Sequence, residues 1–279
     1  MSSHAQVPSV DLGDGVAIPQ VGFGVWQVPA EDTERAVSEA LEAGYRHIDT
    51  AAAYGNEQGV ARAIQASGLR REEIFVTTKL WNADHGRART MEAFASSMER
   101  LQLDVLDLYL IHWPMPSRDR YVETWEALAA LHGEGRIRAI GVSNFHAEHL
   151  DRIVEATGVT PAIDQVELHP RLQQRELRAA LAERGIVTEA YSPLGSGTLL
   201  DDSVIGRIAQ ERGKSPAQVI LRWHLQLGNV VIPKSATPER IRENIDLFDF
   251  ELTGEDLAAI EELDAGVRTG ADPETFSLT

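Results

Sequence analysis

Asp49, Tyr54, Lys79 and His112 are residue types that together can move a proton to or from a carbonyl oxygen. A free phenol has a pKa of about 10, too high for effective acid catalysis at neutral pH. A nearby ammonium favours the phenolate and lowers that value, and Lys79 can supply the charge. Asp49 can keep Lys79 ionised and oriented, because a buried lysine without a carboxylate tends to lose its proton. Tyr54 then donates to a substrate oxygen as negative charge develops there, and His112 offers that oxygen a second hydrogen bond. The set holds no thiol, metal cluster or Ser-His-Asp arrangement, so the electron pair must come from a cofactor, and hydride from a nicotinamide fits. Each residue has a plainer reading when taken alone. Asp49 reads as a turn cap, Tyr54 as a loop aromatic, Lys79 as a snorkelling surface residue and His112 as a satisfied core histidine.

The elements that must position these residues follow one alternation of short β-branched runs and longer stretches of helical spacing. Strands are expected at 20–23, 46–49, 74–79, 106–111, 137–142, 162–166, 186–190 and 230–233. Helices are expected at about 31–43, 57–67, 87–101, 121–133, 146–156, 173–183, 204–211, 216–227, 238–248 and 255–263. Eight β/α units in a chain of 279 residues point to an α/β fold, a (β/α)8 TIM barrel in one domain spanning 1–279. Such barrels typically take about 250 residues. Val7 to Leu12 and Val16 to Ile18 flank Gly13-Asp14-Gly15, an N-terminal β-hairpin. An extra C-terminal helix and an irregular tail close the chain.

In such a barrel, chemistry sits at the C-terminal strand ends. Those ends carry Asp49 with Tyr54 just beyond, Lys79 then Trp81, His112-Trp113, Ser143-Asn144, Gln165 with Glu167, Tyr191-Ser192, and Lys234-Ser235. Only three of the 26 basic residues are lysines, and two of them, Lys79 and Lys234, fall there. One shared barrel face lifts the joint reading above the separate plain ones.

Composition narrows the field. Hydrophobic residues make up 43% and charged residues 25%, which is normal for a packed domain. There is no cysteine, which excludes disulfides, thiolate metal sites and a Cys nucleophile. A net charge of −17 opposes non-specific binding to nucleic acid or anionic lipid. No apolar run is long enough to span a membrane, and no secretory signal pattern opens the chain, so a cytoplasmic protein is expected. The acidic surface leans toward a monomer. Gly213-Lys214-Ser215 looks like the end of a P-loop, but Ile208 stands where the first glycine is required. It reads instead as a helix stop and the capped start of the next helix. No Gly-x-Gly-x-x-Gly occurs, so a Rossmann fingerprint is absent. His146 and His149 share a helix face but have no third ligand nearby in sequence, so they read as a solvated face and no metal is expected.

Several segments resemble the aldo-keto reductase family, most closely its short bacterial type related to 2,5-diketo-D-gluconate reductases. They are Gly44-Tyr45-Arg46-His47-Ile48-Asp49-Thr50-Ala51, Tyr54-Gly55-Asn56-Glu57, Leu108 to Pro114, Gly141 to Phe145, and Ile232-Pro233-Lys234-Ser235 with Arg240 and Glu243-Asn244. The likeness runs from about Val10 to Asp264. It implies NADPH extended across the barrel mouth, with Asp49, Tyr54, Lys79 and His112 as the catalytic four. Ser143, Asn144 and Gln165 would hold the nicotinamide carboxamide, Tyr191 would stack on its ring, and Val25 and Trp26 would contact the cofactor. Ser192, Leu194, Gly195 and Ser196 would follow the pyrophosphate. Lys234, Ser235 and Arg240 would take the 2′-phosphate, and Glu243 and Asn244 the adenine end. Independently of the resemblance, Lys234, Arg240 and Arg242 form a local basic cluster on an acidic chain, suited to a phosphate. Ala236-Thr237 are neutral where some relatives carry a base, which leaves weaker use of NADH open.

Trp26, Trp81 and Trp113, with Phe276, are candidates for an aromatic cup around a small carbonyl substrate. Two other functions compete with reduction. One is a barrel aldolase forming a Schiff base on Lys79 or Lys234, which the carboxylate beside Lys79 disfavours. The other is a catalytically silent NADPH-binding module, which the intact four disfavour.

Overall fold

In the computed structural model, residues 7–279 are described. The chain opens with an antiparallel hairpin, β1 (Ser9–Asp11) and β2 (Ala17–Pro19). Its turn places Gly13, Asp14 and Gly15 all at positive φ, a path two glycines and an Asp tolerate. Eight parallel strands follow: β3 (Phe23–Gly24), β4 (His47–Asp49), β5 (Phe75–Leu80), β6 (Leu106–Ile111), β7 (Ile137–Ser143), β8 (Ile163–Glu167), β9 (Val187–Tyr191) and β10 (Val230–Val231). They lie side by side in chain order.

The first and last of these strands are shorter than the sequence predicts. Pro233 has no N–H and cannot extend the ladder, so β10 stops at Val231. Closure comes from the flanking chain. Val21 bridges Val231, Gly22 N donates to Val231 O at 2.8 Å, and Gly24 N donates to Pro233 O at 3.2 Å. The result is the expected (β/α)8 barrel.

The helices are α1 (Ala30–Ala43), α2 (Glu57–Ala66), α3 (Arg87–Leu101), α4 (Tyr121–Gly133), α5 (Ala147–Thr157), α6 (Arg175–Glu183), α7 (Ser203–Arg212), α8 (Pro216–Gln226), α9 (Pro238–Ile245) and α10 (Gly254–Glu261). α1 buries Ala36, Val37, Ala40 and Leu41 on one face, and Gly44 at φ 106° ends it. The α7–α8 joint is the helix punctuation expected: Gly213 is left-handed, and the Ser215 hydroxyl accepts from Gln218 N. No described helix is long and apolar enough to cross a membrane.

Alternate strand residues point into the barrel. At the bottom, Phe75, Leu108, Leu110, Ala139, Ile163 and Val230 pack with Val16 and Ile18 of the hairpin, which plugs that end. Above them the buried inward positions turn polar, through His47, Thr77 and Glu189 to Asp49, Lys79 and Gln165. Gly22 makes room for this layer, since a Cβ there would lie 2.3 Å from His47 Nδ1.

Candidate active site

Asp49 ends β4, and Lys79 stands one residue from the end of the neighbouring β5. Lys79 is fully buried, and its Nζ donates to Asp49 Oδ1 at 2.7 Å and Thr50 O at 3.0 Å. Burial acts to strip its proton, but Asp49 and Tyr54 outweigh that and hold the ammonium above its usual range. Burial pushes the Asp49 carboxyl up, against the pull of Lys79 and Gln165.

Tyr54 closes a short 3-10 turn over Ala52–Tyr54. The loop below is pinned by buried Asn56, whose amide donates to Val25 O at 3.0 Å and accepts from Thr50 Oγ1 at 2.8 Å. The turn brings the Tyr54 hydroxyl to 3.5 Å from Lys79 Nζ. Lys79 lowers the phenol's pKa as expected, but burial raises it more, so the net direction is upward. That burial arises only in the assembled fold.

His112 follows β6 and meets the Tyr54 ring edge to face at 5.8 Å. Burial, then Lys79, drives its pKa well below the usual value, so the ring is neutral. As a neutral ring it can donate a hydrogen bond. The four residues therefore converge at the barrel mouth.

The residues expected around a carboxamide are also gathered there. Ser143 Oγ donates to Gln165 O at 2.7 Å, and Asn144 Nδ2 to His112 O at 3.1 Å. Tyr191 is half-buried, with its hydroxyl on Asn144 Oδ1 at 2.8 Å. Gln165 points inward, and its Nε2 donates to Asp49 Oδ2 at 2.8 Å. Ser192 and Leu194 are half-buried, Gly195 is buried, and Ser196 is exposed. Val25 is buried, whereas Trp26 is half exposed.

At the start of α9, Lys234 and Arg240 are exposed. Ser235 is buried and folds back, its Oγ accepting from Thr237 N at 3.1 Å. Asn244 is buried, and Glu243 accepts from the Ser215 hydroxyl. Arg242 does not join the cluster expected of it. It lines a groove at the opposite, bottom face of the barrel with Glu42, Arg46 and Asp249. Two residues along a helix turn the side chain to the other side. Asp49, Tyr54, Lys79 and His112 do not line that groove.

His146 and His149 also depart from expectation. They are not a free solvated face, because Glu274 of the tail reaches them, 2.7 Å from His146 Nδ1 and 3.6 Å from His149 Nε2. His149 Nδ1 accepts from His146 N, so in the neutral ring Nε2 carries the proton and faces the carboxylate as a donor, and Glu274 is the third ligand-type group that the sequence did not place beside the pair.

That contact belongs to a longer course that the sequence did not reveal. Thr269 N and Oγ1 and Gly270 N donate to the Glu167 carboxylate at the end of β8. Glu274 then meets the start of α5, and Phe276 lies on Trp113 at 4.2 Å and near Trp81 at 6.4 Å. Leu278 O accepts from Asn82 beyond β5 at 2.8 Å. The tail thus follows the rim from β8 round to β5 and forms part of the aromatic wall. Trp81 also meets His112 edge to face at 5.3 Å.

Comparison with known proteins bears on the family and the fold. The model of the aldo/keto reductase family matches residues 20–265. An aldo-keto reductase of Mycolicibacterium smegmatis is 60% identical, covering 98% of this chain and 99% of that one. The methylglyoxal reductase DkgA of Escherichia coli K12 is 52% identical, covering 96% of this chain and 97% of its own. A solved mutant of Gox0644 in complex with NADPH is 49% identical with a TM-score of 0.94, covering 98% of this chain and all of that one. With the barrel and the family match coinciding over most of its length, this chain belongs to the aldo/keto reductase family.

Proposed function

We propose that this protein reduces small aldehydes, ketones or dicarbonyls to alcohols with NADPH, Tyr54 being the proton donor. The observation that carries the reading is the buried Asp49–Lys79 pair with the Tyr54 hydroxyl 3.5 Å from the ammonium. NADPH, when bound, supplies the hydride. Tyr54 gives its proton to the carbonyl oxygen, Lys79 steadies the phenolate left behind, and Asp49 keeps Lys79 charged. Neutral His112 orients the same oxygen. Trp26, Trp81 and Trp113 with Phe276 exclude water from the reacting carbonyl.

The donor set fits the cofactor. Lys234 and Arg240 are exposed cations at one end of the mouth, suited to a 2′-phosphate. Tyr191 offers a half-buried ring at the other end, beside the amides and hydroxyls of Ser143, Asn144 and Gln165. The relatives acting on methylglyoxal favour small dicarbonyls as the substrate class. An aldolase reading is disfavoured because Lys79 is held as an ammonium and is not a nucleophilic amine. The net charge of −17 disfavours nucleic acid and self-association, in keeping with a cytoplasmic monomer.

The test is NADPH consumption with a panel of small aldehydes and α-dicarbonyls, wild type beside Tyr54→Phe. Loss of about 10²–10⁴-fold in kcat with NADPH binding retained is the expected result. A variant that turns over like wild type would remove Tyr54 from the role. A folded, NADPH-binding wild type with no turnover would favour the silent module.

A further inference from the structure

Glu189 was not among the residues the sequence brought forward. It lies on β9 two positions before Tyr191, so its side chain enters the same barrel interior. It is fully buried. The Gln165 amide has two N–H bonds to give. Its Nε2 donates to Asp49 Oδ2 at 2.8 Å and to Glu189 Oε2 at 2.9 Å. One amide thus bridges two carboxyl groups beneath the catalytic tyrosine.

The charged and titratable groups facing Glu189 are few. β4 contributes Asp49 and His47, and β5 contributes Lys79. β8 presents neutral Gln165, and β10 presents Val230. The single ammonium already bonds Asp49. His47 is pushed down to about 3, first by burial and then by Lys79, so it brings no positive charge. A second carboxylate here would be an unpaired charge in a dry interior, and such a group takes up a proton instead. Burial first, then the Asp49 charge, moves the Glu189 carboxyl up to about 8. Since Oε2 accepts from Gln165, the proton belongs on Oε1. That oxygen has no hydrogen-bond partner among the described residues, and the His47 Nε2 atom lies 3.8 Å from it.

We propose that Glu189 is a positioning residue for the reduction: as a neutral acid it shares Gln165 with Asp49 and steadies the Asp49–Lys79 pair under Tyr54, and its ionisation closes the active pH range from the alkaline side. When Glu189 loses its proton, a second negative charge faces Lys79. The ammonium then draws less on the phenol, and Tyr54 holds its proton more tightly. The proposal rests on Tyr54 as proton donor, so one arm of its test needs neither cofactor nor turnover.

The variant is Glu189→Gln, which keeps shape and neutrality. Its kcat/KM for reduction at pH 7 is expected within about 3-fold of wild type, with the alkaline midpoint moved up by about one pH unit or more. In the cofactor-free protein, the folded carboxyl titrates near 8 against about 4.3 when unfolded. The stabilisation from the bound proton is complete below the unfolded value and is lost as pH rises through the folded one. The melting temperature of Glu189→Gln should therefore gain on wild type between about pH 5 and 8 and level off above. An alkaline midpoint that the substitution leaves unmoved, or a melting difference that stays constant across pH, overturns the proposal. Should the variant fail to fold, carbon-13 NMR of glutamate-labelled wild type decides the matter. A buried carboxyl titrating near 8 supports the proposal, and its absence overturns it.

Discussion

The Lys79 ammonium and the Asp49 carboxylate meet at 2.7 Å inside the barrel, with almost no surface exposed on either. A buried pair of this kind adds little net stability, but removing one partner leaves an uncompensated charge and costs about 3–5 kcal/mol. Asp49→Asn and Lys79→Met should each lower unfolding stability by about that amount. The double variant should lose clearly less than the sum, because neither charge is left stranded. Urea denaturation of the cofactor-free proteins measures this cycle, and strictly additive losses would contradict the pairing. Turnover should fall in all three, since Tyr54 loses the charge beside it.

Lys234 and Arg240 stand exposed at the start of α9, while Arg242 turns toward the bottom face. Arg240→Ala should weaken NADPH binding by about tenfold or more and leave NADH binding nearly unchanged, because only the former carries a 2′-phosphate. Arg242→Ala should alter neither. Fluorescence titration of the two nucleotides against both variants distinguishes these outcomes. Equal weakening of NADPH and NADH by Arg240→Ala would sink the phosphate assignment.

The strands and the candidate site residues at their ends were legible because parallel barrel strands are runs of β-branched and apolar residues, and polar side chains at their C-terminal ends stand out. Helical phase is less legible: Arg242 is near Arg240 in sequence, but two helical residues face apart. Glu189 is inconspicuous inside the run Val187-Thr188-Glu189-Ala190-Tyr191. The signal was there, since period two puts it on the face of Tyr191. Nothing in the sequence marked the tail's course. Residues beyond Asp264 have no periodicity, and their positions depend on long-range partners such as Glu167, His146 and Trp113. The raised pKa of Tyr54 was hidden for a similar reason, because burial belongs to the assembled fold.

Glu167 is the first anchor of that tail. Burial acts to raise its carboxyl, but hydrogen bonds from His169, Thr269 and Gly270 outweigh this and hold it at about 2. An unfolded glutamate titrates at about 4.3. The folded value is depressed, so the stabilisation is present above the unfolded value and is lost as pH falls through the folded one. Glu167→Gln cannot supply the charge that those donors favour. Its melting temperature should lie below wild type by a constant margin from about pH 7 to 5, and the margin should close as pH falls from about 4 toward 2. The same variant should loosen Phe276 from Trp113 and raise KM for substrates held by the aromatic wall, with a smaller change in kcat. Melting curves across pH, with kinetics at pH 7, measure both effects. A margin that stays the same at every pH would show that the tail is held by something other than the Glu167 charge.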